Sequence, residues 1–430
     1  MKQITGLIFT SFAILFLCFS CQKAPFPAIP EVPQHVLDKD IKIDKLIQKS
    51  LERLHLLTQS TSDSSLVPRG WDTENQKLIL DKAHVWTSGF YPASLWMAYD
   101  LSQDSSWEEQ ARRYTYTLAE QIYAYQTHDL GFMIYNSLGK GYALTGDSTL
   151  RMLCLMAADE LMKLFDVNKK AIKTAPRAKE NGLNFIIDNL INLELLHFAY
   201  EEGGETRFQE AIQHHLTFCL NEFLKKDHSN ATYVVHQLSF EEGQEEPIVL
   251  AGQGAGQYSK WSRGQAWGIY GFSQRYLAVR ESPDTTLLSK EIAQKCLHAA
   301  KALADQWILN APSDGIPYWD FEAQMIPHEP KDASAACVAA CGMLMLYESL
   351  PPEEGKRYYS YAENIIKALS SDIYFLQTTE IPFILNHSTL SVPHEIDIDG
   401  PQTMADYYWL EALWRYKNME MKEEVKPHIP

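Results

Sequence analysis

A chain of 430 residues, 46% apolar and 22% charged, can bury a large core and has neither a disordered nor a fibrous composition. Lys and Arg number 38 against 55 Asp and Glu, so the net charge is −17. That excludes nucleic acid as a general partner, because affinity for it rests on neutralising phosphates. Small anionic ligands stay open to a local basic pocket.

The N-terminus reads as an export signal. Lys2 is the only charge before the apolar stretch Ile4 to Phe19, which gives way to Ser20-Cys21. The string Leu17-Cys18-Phe19-Ser20-Cys21 resembles a bacterial lipoprotein signal. Residues 1–20 would then be removed, with Cys21 lipidated as the new N-terminus. The expected home is the bacterial cell envelope, facing the periplasm. Residues 21–35 hold Pro25, Pro27, Pro30 and Pro33, which disfavour helix and predict an extended tether. Residues 36–417 carry no visible boundary and are expected to form one domain, followed by a charged tail over 418–430.

Helical periodicity dominates that domain. Ile47, Leu51, Leu54 and Leu57 mark a first amphipathic helix over about 36–58. Further helices are predicted at 88–101, 106–126, 147–165, 183–200, 205–224, 263–280, 287–309, 332–349, 355–369 and 403–417, with Asp147-Ser148-Thr149 capping one of them. Strand-like alternation is confined to pieces such as Thr232 to Phe240 and Ile381 to Leu385. Helix, short turn, helix, longer loop recurs along the chain, and the apolar stripes need partners. A superhelical solenoid and a closed ring of helical hairpins both satisfy this. The chemistry-bearing residues lie in the long loops and at helix starts, and closure would gather them at one mouth. The expected fold is therefore all-α, a closed α/α toroid.

Cys154, Cys219, Cys296, Cys337 and Cys341 form no CxxC pair and read as small buried side chains. No Rossmann, Walker A, HExxH, EF-hand or GxSxG pattern occurs, so neither a metal nor another cofactor is expected. Gly252-Gln253-Gly254-Ala255-Gly256 lacks the preceding strand that a nucleotide site needs.

Three constellations stand out. In Thr127-His128-Asp129-Leu130-Gly131-Phe132 a carboxylate adjoins a tight turn, and Asp129 by itself fits a cap as well as a site. In Phe185 to Leu193, Asp188 and Asn192 are spaced i,i+4 within an apolar helical stretch. Burial raises a carboxyl pKa, and such a group serves as general acid and then base; a helix-start Asp held by the dipole is the structural alternative. In Trp261-Ser262-Arg263-Gly264-Gln265-Ala266-Trp267-Gly268 two indoles bracket an Arg suited to a carboxylate, while the glycines suit close helix packing. His236 stands in a strand-like loop, open to a ligand or to solvent. Asp332 and Asp406 open helices and read as structural.

The run Trp261 to Gly271 closely resembles the unsaturated glucuronyl hydrolases, glycoside hydrolase family 88. The resemblance spans about 50–417 and includes Trp86-Thr87-Ser88-Gly89-Phe90-Tyr91-Pro92, His128 to Phe132, Asp188 to Leu196, Lys331 to Ala336 and Asp406-Tyr407-Tyr408. It implies an (α/α)6 barrel. It also implies removal of the 4,5-unsaturated uronic acid that a lyase leaves at the non-reducing end of a glycosaminoglycan oligosaccharide. By matching motif, Asp188 would be the acid/base that protonates C4 and activates water for C5, and Asp129 the second essential Asp. His236, Gln253, Trp261, Arg263 and Trp267 match substrate-contacting positions. Val234 and Val235 stand between Tyr233 and His236, where the family has a compact Ser-Thr-Tyr-His run. An unsaturated rhamnogalacturonyl hydrolase and a catalytically silent sugar-binding lipoprotein are the alternatives; both Asp129 and Asp188 being present weighs against the second.

Overall fold

The structure, a computed structural model, describes residues 26–61, 63–123, 127–175, 182–281 and 288–425. The predicted signal sequence, Cys21 and Pro25 lie outside them, as do residues 426–430. Residues 26–33 of the Pro-rich segment form neither helix nor strand, but they are not a free tether. Ile29 and Val32 are buried against the body, and the Val32 N–H donates to Asp314 Oδ2 at 3.2 Å.

The chain is predominantly helical. It starts with α1 (Gln34–Leu37) and α2 (Ile43–Gln59), so the first predicted helix is broken between them. After the antiparallel hairpin β1 (Leu66–Asp72) and β2 (Lys77–Lys82) come α3 (Phe90–Ser102) and α4 (Ser105–Ala119). A π-helical stretch, Gly131–Gly139, then runs into α5 (Lys140–Thr145) where a loop was expected. Next is α6 (Ser148–Met162), capped by Asp147, whose side chain accepts the Thr149 N–H as its spacing predicted. The short pair β3 (Phe165–Asp166) and β4 (Ala171–Ile172) precedes β5 (Leu183–Ile186). There the predicted helix 183–200 starts late, as α7 (Asn189–Gly203). Then follow α8 (Thr206–Phe218), β6 (Leu224–Lys226), β7 (Thr232–Val234), β8 (Gln237–Phe240) and β9 (Ile248–Leu250). The chain finishes with α9 (Ser262–Glu281), α10 (Lys290–Asn310), α11 (Ala333–Ser349), α12 (Pro352–Leu369) and α13 (Thr403–Val425), which runs past the expected domain edge at 417.

Two kinds of helix alternate. α2, α4, α8, α10 and α12 bury one stripe each: in α4 the buried set is Trp107, Ala111, Tyr114, Thr115 and Leu118. Between them, α3 is buried continuously from Phe90 to Ala98, and α11 from Ala333 to Leu346. A helix apolar on all sides needs neighbours on all sides. Accordingly α3 packs on Gly131–Gly139, that segment on α7, α7 on α9, α9 on α11, α11 on α13, and α13 again on α3. The one-sided helices lie against this series, α4 on α3, α8 on α7, α10 on α9 and α12 on α11. All five cysteines among the described residues are free and buried. No described helix is long and apolar enough to cross a membrane.

The wholly buried helices also enclose charge. The Tyr270 hydroxyl donates to Glu411 Oε1 at 2.9 Å, and Arg415 Nε donates to the same oxygen at 2.7 Å. Glu194 lies in the same region, where desolvation pushes its carboxyl up to about 7 against the attraction of Arg275. Native Glu194 therefore keeps a proton that the unfolded chain releases above its ordinary value of 4.5. Stability from this group is present at acid pH and lost as pH rises through about 7. Burial of Asp406 acts in the same sense. Buried His197 and His215 contribute the opposite slope, so the test is a difference: the melting temperature of Glu194→Gln relative to the parent is expected to rise from pH 4.5 to 8.

Candidate active site

A cavity of about 340 Å³ opens among the loops, and its walls include Trp86, His128, His236, Gln253, Ser391 and His394. Asp188 lies beside it through strand pairing. β5 runs antiparallel to β8 with Ile186 opposite Gln237, and the Ile187 N–H donates to the His236 carbonyl at 3.1 Å. That pairing sets Asp188 against His236 across 48 residues of sequence.

Asp188 occupies the N-cap position of α7, yet its side chain caps nothing. It is 5% exposed, and Oδ2 has no hydrogen-bond partner among the described residues. Facing it at 3.5 Å is His236 Nε2, likewise buried and without a partner. His236 Nδ1 accepts the Gln253 N–H at 2.8 Å. In the neutral imidazole this puts the proton on Nε2, aimed at Asp188. A buried polar atom left unpaired costs about 1–3 kcal/mol, and such atoms are the ones a substrate can engage.

A second His–Asp pair repeats the design. His128 Nδ1 accepts the Ala175 N–H at 3.2 Å, and its Nε2 is 3.5 Å from Asp129 Oδ2. Asn192 secures this segment instead of facing Asp188. Its Oδ1 accepts the Phe132 N–H at 3.2 Å, and a Cβ on Gly131 would stand 2.5 Å from the Asn192 Cα. The glycine thus allows the Asp129 segment to lie directly on α7, one turn beyond Asp188.

Arg263 is placed differently from a residue that reads a carboxylate. It is fully buried, and all four terminal N–H groups are committed within the protein. One nitrogen donates to Asp332 Oδ2 at 2.8 Å and the Thr389 carbonyl at 2.6 Å. The other donates to Gln253 Oε1 at 2.9 Å and the Leu390 carbonyl at 2.5 Å. Arg263 therefore orients Gln253, whose amide oxygen it occupies, leaving the amide NH2 as the end available to a ligand. Its guanidinium lies 4.7 Å over the Trp261 ring, which in turn sits 4.4 Å from the His236 ring. Trp267 is completely buried, packed on Phe132 and Tyr408 at 5.2 and 5.5 Å. Among the described residues the cavity's lining contains neither Trp261, Arg263 nor Trp267, and neither Asp129 nor Asp188, which reach it only beside His128 and His236. Asp332 caps α11, accepting the N–H groups of Ser334 and Ala335, and Asp406 accepts those of Ile384 and Leu385. Both are structural, as read from their positions.

Sequence reasoning named His128 only as part of its motif, with no role, and passed over Ser391 and His394. His128 directly precedes Asp129. The signal for the other two was their long loop, which contains four non-glycine residues with positive φ, His387, Glu395, Asp397 and Asp399. Such strain concentrates at working sites. Among the described residues no group of three or more His, Cys, Asp or Glu could hold a metal ion.

Gly252 is the tightest point. Its φ is +58°, and a Cβ there would lie 2.0 Å from His236 Nδ1. Gly252→Ala is expected to displace the imidazole and lower kcat/KM by about 10–100-fold, measured on purified variant, with a smaller effect on melting temperature.

No family model matches the chain. It is 32% identical over 350 residues to an unsaturated glucuronyl hydrolase of Formosa agariphila, covering 78% of this chain and 81% of that protein. The chain belongs to the unsaturated glucuronyl hydrolases. It is therefore a glycoside hydrolase, as the motifs implied. An unsaturated chondroitin disaccharide hydrolase of Streptococcus agalactiae is 28% identical over 392 residues, covering 89% of this chain and 93% of that one. The crystal structure of an unsaturated glucuronyl hydrolase specific for heparin superposes with a TM-score of 0.79 at 31% identity, covering 88% of this hydrolase and 98% of that chain.

Proposed function

We propose that this hydrolase removes the 4,5-unsaturated uronic acid from the non-reducing end of lyase-generated glycosaminoglycan oligosaccharides, by hydrating the C4=C5 double bond. The observation that carries the mechanism is the Asp188 carboxyl, buried, unclaimed by its own helix and faced by the Nε2–H of His236. Relatives named for chondroitin and heparin substrates support the substrate class.

In this reading protonated Asp188 gives its proton to C4. The resulting carboxylate takes a proton from water as the water oxygen bonds to C5, which restores the acid. The C5 hemiketal then opens to a ketone. C1 is left as a hemiacetal that expels the remaining saccharide. No proton goes to the glycosidic oxygen in the first step, unlike ordinary two-carboxylate glycosidases. His236 donates to substrate or to the carboxylate, Asp129 with His128 holds the sugar, and Gln253 offers its NH2. Arg263, Trp261 and Trp267 keep these groups in place. The helix neighbour relations support a closed (α/α)6 barrel, with Gly131–Gly139, α3, α7, α9, α11 and α13 inside. The Leu17 to Cys21 string supports an envelope lipoprotein anchored through Cys21.

The test is the ultraviolet absorbance of the conjugated enol ether. It should disappear when enzyme is added to unsaturated chondroitin, hyaluronan or heparin disaccharides, and faster than with an unsaturated rhamnogalacturonyl disaccharide. A pectic preference, or no loss across the panel, would overturn the assignment.

A further inference from the structure

In a chain of net charge −17, five lysines gather around one cavity of about 500 Å³. Lys42, the N-cap of α2, and Lys45 and Lys49 within it follow at helical spacing, Lys39 precedes them, and Lys367 comes from the last turn of α12. Lys39, Lys42, Lys45 and Lys49 are exposed, and among the described residues none makes an ion pair. Lys367 contacts Glu363 at 3.2 Å. Asp40 and Asp372 are the carboxylates in the lining, so the cavity keeps a positive balance. Half-buried Val36, Ile41 and Leu46 complete it, giving an apolar floor with a basic rim. That combination is the one an interfacial surface presents to lipid headgroups.

The position of the patch selects the partner. Residues 29–37 are already docked on the body, with Ile29, Val32 and Leu37 buried, and the patch follows immediately. From Cys21 to Ile29 is eight residues, a reach of at most about 28 Å when fully extended. A lipid on Cys21 would therefore hold the body within that reach of the bilayer, with the patch a few residues further along the chain. The remaining acidic surface is repelled by an anionic membrane, so the basic face is the one that approaches.

We propose that the Lys39, Lys42, Lys45, Lys49 and Lys367 face docks on the phosphate-bearing headgroups of anionic phospholipids and fixes the orientation of the enzyme on its membrane. This rests on the reading of Cys21 as the anchor point for its location, and on the patch alone for its chemistry.

The experiment uses the full chain on vesicles of neutral phosphatidylcholine, with or without 30% phosphatidylglycerol, and reads the lysines by amine-reactive labelling and mass spectrometry. The expected result is that Lys39, Lys42, Lys45 and Lys49 become at least about five-fold protected on the anionic vesicles alone, and that 0.5 M salt removes the protection. Lys163, elsewhere on the surface, should label equally throughout. Replacing the four exposed lysines by Gln should abolish the difference in vesicle binding between the two compositions, with turnover of soluble substrate unchanged. Equal labelling on both vesicle types overturns the proposal. So does protection by a heparin oligosaccharide with none on anionic vesicles, which would make the patch a polysaccharide site. The mass of the Cys21 peptide reports the anchor separately, and Cys21→Ser should retain the salt-sensitive protection if the patch recognises headgroups by itself.

Discussion

Asp188→Asn is expected to lower kcat by about 10³–10⁴-fold, because one carboxyl is asked both to deliver a proton to C4 and to accept one from water. Asn keeps the shape and removes both capacities. The side chain caps nothing in α7, so the helix loses no bond. Asp188 Oδ2 makes no hydrogen bond that Asn would forfeit and faces only His236 at 3.5 Å, so the melting temperature should change little. Calorimetry should show substrate binding close to that of the parent while the absorbance assay shows turnover lost. Retained turnover would remove Asp188 from its role. A collapse of melting temperature with turnover would instead make it structural.

Arg263→Ala should have the largest effect on stability, about 3–5 kcal/mol, because it leaves the Asp332 carboxylate buried without its cation. It also releases two carbonyls, of Thr389 and Leu390, and the Gln253 amide oxygen. Denaturant unfolding measures the loss. Arg263→Lys separates support from chemistry: one ammonium can keep the pair with Asp332 but cannot span all four acceptors. Its activity should therefore fall further than its stability. If Arg263→Lys is as active as the parent while Gln253→Ala is impaired, the orienting role assigned to Arg263 is wrong.

Much of this protein was legible along the chain because helices announce themselves locally. A 3.6-residue stripe such as Ile47, Leu54 and Leu57, or an Asp147 before Ser148-Thr149, needs no distant partner to be read. The stretch 131–139 escaped because Gly131, Asn136, Ser137 and Gly139 argue against helix, and only contact with α3 and α7 makes it one. Leu183–Ile186 escaped in the opposite direction: its apolar run suits a helix, and the distant β8 makes it a strand.

The sequence by itself determined the helical class, the capping residues, the buried cysteines and the family motifs. Tertiary structure alone decided how the groups of the candidate site are partnered. Arg263 became a support because backbone carbonyls more than a hundred residues away meet it first. The proton position on His236 was set by the Gln253 backbone, and Trp267 was enclosed by Phe132 and Tyr408. Periodicity and capping act between residues a few positions apart, whereas hydrogen-bond allegiance is settled between elements that only folding brings together.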